Sequence, residues 1–242
     1  MVLNDVSVTR VNSGGVSSAF IEGYSRVRIR FTAANCTLDA GESLAGGYII
    51  HKGLRVDANS AKMALSYPLE AGDNIITCVA VSSTGAESSI TKTVTAYAYS
   101  PPSAETAAFR CDSSGSADED GAYIKVTAET TVSSCGGANT AAAEVRWKLR
   151  SSESYSSPSA VSGGACIIGG SLTTADTVDI LLTVTDTVGN DAEYGLEILS
   201  NFWPLRFTEN GKGVAFLGAA PANGELVLPA GTRIRIGNTY IN

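Results

Sequence analysis

Two short stretches of this sequence alternate strictly between apolar and charged residues, and no other feature restricts the fold as strongly. Residues 26–31 read RVRIRF, and residues 144–150 read EVRWKLR. Successive side chains of a β-strand point to opposite faces, so a period of two predicts a strand with one buried and one solvated face. The positions predicted to face a core are Val27, Ile29, Phe31, Val145, Trp147 and Leu149.

Five further stretches are rich in β-branched and aromatic residues and are flanked by Gly, Asn, Asp or Ser, which is typical of strands between turns. They are residues 47–50, 74–81, 91–97, 123–128 and 178–184. Residues 60–65 are the segment predicted to form a helical turn. Only 17% of the residues are charged, and much of the remainder is Ser, Thr, Gly and Ala, which favours half-buried strands over helices.

The two halves of the chain resemble each other. Residues 75–85 read IITCVAVSSTG and residues 178–189 read VDILLTVTDTVG, each a strand pattern followed by a polar turn that ends in Gly. Aligning them predicts that Cys78 faces away from the core, which argues against a core disulfide of the antibody type. The positions that this alignment turns toward the core are Ile75, Thr77, Val79, Val81, Val178, Ile180, Leu182 and Val184.

The period of this repeat, roughly 100 residues, is the size of one immunoglobulin-like sandwich. Residues 100–103, Ser-Pro-Pro-Ser, are predicted to be the linker, because consecutive prolines cannot continue a hydrogen-bonded ladder. The predicted fold is therefore all-β, with two tandem immunoglobulin-like β-sandwiches over residues 1–99 and 100–200. Residues 201–242 are predicted to form a short β-rich C-terminal segment that packs or oligomerises.

Composition excludes several classes of function. The formal net charge of −7 argues against a nucleic-acid-binding protein, which needs a basic face. No apolar run is long enough to cross a membrane, and the first residues lack the basic and apolar regions of a secretory signal. Five cysteines and one histidine, without a CxxC pair, fit neither a zinc site nor a disulfide framework. We expect no metal and no cofactor.

Residues 110–126, RCDSSGSADEDGAYIKV, contain enough acids to suggest a calcium loop. An EF-hand loop needs Gly at its sixth position and Glu at its twelfth, and counting from Asp112 these positions hold Ala117 and Tyr123. The stretch is therefore predicted to be a solvated turn that binds no calcium tightly. A loose site at Asp118 and Asp120 is the alternative.

No catalytic residue can be selected. His51 is the single histidine, and neither a GxSxG elbow nor a recognisable cysteine motif accompanies it, so we predict a surface or edge-strand position for it. Residues 211–213, Gly-Lys-Gly, lack the earlier Gly and the Ser or Thr of a phosphate-binding loop. The scattered carboxylates do not define a glycosidase pair, although sequence spacing does not exclude one. We expect a protein that is not an enzyme.

The arginines at positions 26, 28 and 30 allow two interpretations. The first is the solvated face of a strand, and we favour it. The second is a row of cations that binds an anionic glycan.

Three stretches resemble a family of minor structural tail proteins of siphophages that infect Gram-positive bacteria. They are YSRVRIRFTAA at residues 24–34, FRCDSSGSADEDGAYIKVTA at residues 109–128, and FTENGKGVAFLGAAPANGELVL at residues 207–228. The last differs from the family's GKGVAIGK pattern, since Leu217-Gly218 stands where the family often has Lys. Together these stretches span most of the chain.

The resemblance implies a non-enzymatic structural protein of a phage or prophage tail fibre or tail tip, whose modules act as spacers that support host-surface attachment. It implies synthesis in the bacterial cytoplasm, a final location in the virion, and other phage tail proteins as partners. A host cell-wall glycan and a homotrimer formed through the C-terminal segment are further expected partners. The alternative is a bacterial cell-surface adhesin or a carbohydrate-binding module.

Overall fold

The computed structural model describes residues 1–12 and 14–200, together with the backbone of five short strands between residues 206 and 241. These residues contain no α-helix and one 3₁₀ turn, Ala33–Asn35. The strands of the first hundred residues are β1 (Val2–Leu3), β2 (Ser7–Asn12), β3 (Ser25–Arg30), β4 (Cys36–Thr37), β5 (Leu44–His51), β6 (Leu54–Asp57), β7 (Met63–Leu65), β8 (Gly72–Ser82) and β9 (Glu87–Ala96). The next are β10 (Ser103–Cys111), β11 (Tyr123–Thr131), β12 (Ala141–Leu149), β13 (Ser159–Ala160), β14 (Ala165–Gly169), β15 (Val178–Asp186) and β16 (Asp191–Ile198).

Both halves of the chain use the same sheet topology. In the first half, a three-stranded sheet has the order β2-β3-β7 and a four-stranded sheet has the order β6-β5-β8-β9. In the second half the corresponding orders are β10-β11-β14 and β13-β12-β15-β16. The prediction of two tandem immunoglobulin-like β-sandwiches is confirmed.

The C-terminal segment is also β-rich in the part of it that is described. It contains β17 (Arg206–Phe207), β18 (Val214–Ala215), β19 (Leu226–Val227), β20 (Ile234–Ile236) and β21 (Thr239–Ile241). Strand β18 pairs antiparallel with β17 and parallel with β19, and β20 pairs antiparallel with β21. Each strand is only two or three residues long.

Two compact units can be distinguished by the proximity of Cα atoms. The first comprises Met1–Glu105, Ala128–Glu144 and Thr183–Tyr194. The second comprises Thr106–Thr127, Val145–Leu182 and Gly195–Asn242. Each unit gathers segments that are distant in sequence. The domain boundaries at residues 99–100 and 200–201 stay predictions.

The main core of the first unit follows from the alternation in β3. Val27, Ile29 and Phe31 are all at most 1% exposed, and the residues between them are exposed, as predicted. They pack with apolar side chains of β5 and β8, among them Ile49 and Ile76. Removing such side chains from water contributes roughly 1.5–3 kcal/mol each.

Two of the predicted core positions in β12 are only half-buried. Val145 is fully buried, as predicted, but Trp147 and Leu149 are not. Strand β13, the neighbour of β12 on one side, is only two residues long, so the pairing of β12 on that side is short. The prediction that Trp147 and Leu149 are buried was wrong.

The predicted phase of β8 was also wrong. Cys78 is fully buried, in the core together with Ile76 and Ala80, whereas Ile75 is 62% exposed. Ile75 and Ile76 are adjacent and equally apolar, so the sequence does not show which of them is buried. The alignment was shifted by one residue and therefore assigned the buried positions of β8 to the wrong face of the strand. In β15, by contrast, Val178, Ile180, Leu182 and Val184 are buried as predicted.

Residues 60–65 do not form a helical turn. Residues 60–61 lie in a turn, and Met63–Leu65 is strand β7, which pairs with β3. Lys62 has a φ of 59°, which lies in the left-handed region. A chain that reverses at this point cannot continue as a right-handed helix.

Candidate binding surface

The outer face of the sheet β2-β3-β7 carries a row of three arginines, which we call the arginine row: Arg26, Arg28 and Arg30. Each is exposed and alternates with a buried residue of β3. On one side, Val11, Thr9 and Ser7 of β2 pair with them in that order. On the other side, Leu65 pairs with Arg28 and Met63 pairs with Arg30. The row is thus flanked by small polar and apolar side chains.

No carboxylate pairs with the arginine row in the described part of the chain. The other described arginine side chains each have an ionic, hydrogen-bonding or ring partner; they are Arg10, Arg55, Arg110, Arg146 and Arg150. Arg150, which follows β12 in the second half, pairs with both Asp179 and Glu197. Within residues 1–12 and 14–200, the arginine row therefore has donors that no carboxylate engages.

A shallow groove of about 300 Å³ lies at the Arg26 end of this face. Its lining is mainly apolar and consists of Val11, Asn12, Gly23, Tyr24, Arg26, Leu65 and Pro68. Both amide atoms of Asn12 are occupied, because its Nδ2 donates to the Val16 and Ala19 carbonyls and its Oδ1 accepts from Ser25. The Tyr24 hydroxyl donates to Asn190 at 2.9 Å. Arg26 is consequently the lining side chain with uncommitted donors.

The acidic stretch at residues 110–126 is organised as a turn. One carboxylate oxygen of Asp112 accepts from the backbone N–H of Ser114, from its hydroxyl, and from the N–H of Ser116, at 2.7–3.0 Å. These hydrogen bonds, chiefly those from Ser114, hold the pKa of Asp112 below its usual range. Asp118 accepts in the same way from the N–H of Asp120. The described residues contain no group of three or more metal-ligating side chains, and the absence of tight calcium binding stays a prediction.

Arg110 precedes that turn and is 7% exposed. Its guanidinium donates to the carbonyl oxygens of Gly121 at 3.2 Å and Asp176 at 2.7 Å, and its Nε has no hydrogen-bond partner. Arg110 also lines a groove of about 550 Å³ in the second unit, together with Phe109, Ala117, Asp118, Glu119, Ile198 and Leu199. The guanidinium is used to close the loop over residues 110–121, an arrangement that the sequence did not predict.

A buried polar network, which we call the Asp186 network, lies within the first unit. The Asp186 carboxylate accepts from the Tyr99 hydroxyl at 2.8 Å, from the Asn139 amide at 3.1 Å, and from the backbone N–H groups of Gly189 and Asn190. Burial raises the pKa of Asp186, but these hydrogen bonds outweigh burial and the net pKa lies below its usual value. The repeat alignment treated residues 186–189 as part of a polar turn and did not identify this network.

His51 occupies neither a surface nor an edge position, so that prediction was wrong. It is 2% exposed and lies in β5, which is hydrogen-bonded on both sides, by β6 and by β8. Burial lowers its pKa, and its Nδ1 has no hydrogen-bond partner. A lone polar residue at the end of an apolar run does not reveal whether its strand is central or at an edge.

The five cysteines are all free thiols, and Cys78 and Cys111 are fully buried. The argument against a core disulfide was based on an outward-facing Cys78, and that premise was wrong, because Cys78 lies in the core. Residues 211–213, whose resemblance to a phosphate-binding loop was rejected on sequence, lie outside the described residues. Among the described residues, no helix has the length and apolar character needed to span a membrane.

Comparisons with known proteins address the fold alone. No family model and no curated protein matches the sequence. The fibronectin(III)-like modules of Clostridium thermocellum CbhA are 13% identical, with a TM-score of 0.35 over 80% of this chain and 93% of that chain. The chicken CNTN1 FN1–FN3 domains are 12% identical, with a TM-score of 0.32 over 83% of this chain and 67% of that chain. Likeness at this level says nothing about what the chain binds.

Proposed function

We propose that this chain is a non-enzymatic structural component of a phage or prophage tail, in the tail fibre or tail tip. Its two β-sandwiches act as spacers that support attachment to the host surface. In this proposal the protein is made in the bacterial cytoplasm and ends in the virion, where its partners are other tail proteins.

The observation that carries the proposal is the use of polar groups in residues 109–128, which together with residues 207–228 give the tail-protein resemblance its specificity. Asp112 binds the backbone of its own turn, and Arg110 binds two main-chain carbonyls. A motif whose charged groups are already bound to the chain is suited to shape a loop rather than to perform catalysis. A structural role in a spacer module requires no more than this.

Locating the protein in virions would test the proposal. Phage particles are purified on a density gradient after infection or prophage induction, and peptides of this chain are sought by mass spectrometry. Immunogold labelling should then place the protein on the tail. Particles from a phage deleted for the gene serve as the control. Its absence from wild-type particles that carry intact tails would contradict the proposal.

A bacterial cell-surface adhesin or carbohydrate-binding module is the second candidate, and the unpaired arginine row favours it. In that case the protein should be found in the cell-wall fraction of bacteria grown without phage or induction. Immunoblots of wall and virion fractions from the same strain distinguish the two candidates.

A further inference from the structure

We infer that the outer face of the sheet β2-β3-β7 binds a linear acidic polysaccharide, with the arginine row paired to its acidic groups and the adjoining groove in contact with a sugar ring. This inference rests on the attachment role proposed above, for which it supplies a ligand class. Its test is independent, because polysaccharide binding can fail while the protein is still found in virions.

The length of the arginine row requires a polymer. Alternate residues of a strand are about 6.8 Å apart, so Arg26 and Arg30 are separated by about 14 Å along β3. Two neighbouring guanidiniums can converge on one carboxylate, sulfate or phosphate group, but a single group does not extend over the whole row. A polysaccharide with an acidic group on each successive sugar can engage all three arginines. Its affinity exceeds that of a single sugar, because the first contact holds the next acidic groups close to the remaining arginines.

The chemistry of the row favours oxyanions. A guanidinium presents a planar fork of donors that matches the two oxygens of a carboxylate or a sulfate. None of the three has a carboxylate partner in the described chain, so a bound acid would not have to displace one. In residues 144–150, the other alternating stretch, Arg150 is by contrast already paired with Asp179 and Glu197. The two alternating stretches therefore differ in the availability of their arginine donors.

The surroundings of the row favour a sugar over a nucleic acid. Leu65 and Pro68 give the groove an apolar floor beside Arg26. Ser66 donates its N–H to the Val27 carbonyl and so continues the pairing of β7 with β3, which brings the exposed Tyr67 next to Arg26. Apolar surface with a few directed polar groups is the usual lining of a small-molecule site.

The test measures binding of the whole chain to three named probes at low ionic strength by biolayer interferometry. The probes are polygalacturonate, fully methyl-esterified polygalacturonate as its uncharged counterpart, and single-stranded DNA. One variant, Arg26→Gln/Arg28→Gln/Arg30→Gln, removes the row. A matched variant, Arg146→Gln/Lys148→Gln/Arg150→Gln, removes the same charge from residues 144–150, the other stretch that alternates apolar and charged residues. Circular dichroism checks that both variants fold, and the single change Arg28→Gln replaces the first variant if it does not.

We expect polygalacturonate to bind the wild type, with an affinity that falls as salt is raised. Loss of the row should weaken binding at least about tenfold, whereas the matched variant should stay within about twofold of the wild type. The esterified polymer and monomeric galacturonate should bind far more weakly. Equal losses in both variants, equal binding of the esterified polymer, tighter binding of the DNA, or no binding of polygalacturonate would each overturn the inference.

Discussion

At the scale of single residues, the Asp186 carboxylate shows how a buried charge can stabilise this fold. It is 5% exposed, and its four donors come from Tyr99, Asn139, Gly189 and Asn190. Because its pKa in the folded state lies below the unfolded value near 3.9, its contribution is fully present above about pH 4. The contribution is lost as the pH falls through the folded pKa.

We predict that Asp186→Asn lowers the free energy of unfolding by about 1.5–3 kcal/mol at pH 7, since an amide cannot accept all of these hydrogen bonds. The difference from the wild type should shrink as the pH is lowered below about 4. Urea unfolding at a series of pH values measures it. Asp191→Asn, at an exposed position nearby, is the matched control and should change little. A difference that does not vary with pH would show that the charge of Asp186 is not its source.

The buried thiol of Cys78 gives a second prediction. Burial raises its pKa to about 11, and the side chain has no exposed surface. Because the thiolate is the reactive form, native protein at pH 8 should alkylate at Cys78 much more slowly than at the half-buried Cys166. Mass spectrometry of iodoacetamide-treated peptides measures both rates, and denatured protein should label the two equally. Equal rates in the native protein would mean that β8 has the phase expected from the alignment.

At the scale of elements, Gly47 in β5 is required by the side chain opposite it. A Cβ at this position would lie 2.6 Å from the Val79 carbonyl oxygen and 3.0 Å from the Phe31 ring. At Gly46, the neighbouring residue in the same strand, a Cβ would meet nothing within 4 Å. Gly47 therefore allows the ring of Phe31 to lie against the backbone of the central strand.

We predict that Gly47→Ala destabilises the protein by about 1–3 kcal/mol, because the added methyl group overpacks the core. Gly46→Ala, which makes the same chemical change without the clash, should alter stability by no more than about 0.5 kcal/mol. Thermal and urea unfolding of the two variants give the comparison. If both variants lose the same free energy of unfolding, the loss comes from replacing a glycine in this strand and not from a clash with Phe31.

The positions of the strands were predicted from the sequence more accurately than which side chains of each strand are buried. Period-two alternation located β3, β12 and β15, because a strand with one buried and one solvated face alternates apolar and polar residues. It failed in β8, where Ile75 and Ile76 are equally apolar, and packing on the rest of the core decides which of them is buried. It failed again for His51, since the position of a strand within its sheet depends on pairing between distant segments.

At the scale of the whole molecule, self-association through residues 201–242 stays a prediction. The sequence of this segment is rich in apolar residues, yet its described strands are two or three residues long. Two-stranded pieces of that size are marginally stable alone, and exposed strand edges favour pairing between chains. We expect light scattering to show that the full chain is oligomeric and that a chain ending at Gly211 is monomeric. If the protein belongs to a tail fibre, the expected oligomer is a trimer. Monomers in both samples at high concentration would contradict it.

The candidate binding surface was predictable only in part. The outward direction of Arg26, Arg28 and Arg30 follows from the alternation in β3. Their lack of partners does not, because ion pairs such as Arg150 with Asp179 depend on which strands become neighbours. The groove beside Arg26 is likewise formed by segments that are far apart in sequence and converge only in the fold.

A small apolar cluster in the first unit bears on how the chain folds as it is synthesised. Val16, Ala19 and Ile21 are buried there against Cys135 and Val188. When the first hundred residues have left the ribosome, the residues of the main core of the first sandwich are present. Of this cluster, only Val16, Ala19 and Ile21 are present at that stage. The other side emerges some ninety residues later, as Val188 follows Cys135 out of the exit tunnel. We therefore expect this cluster to form only after Val188 has been synthesised, later than the main core of the first sandwich.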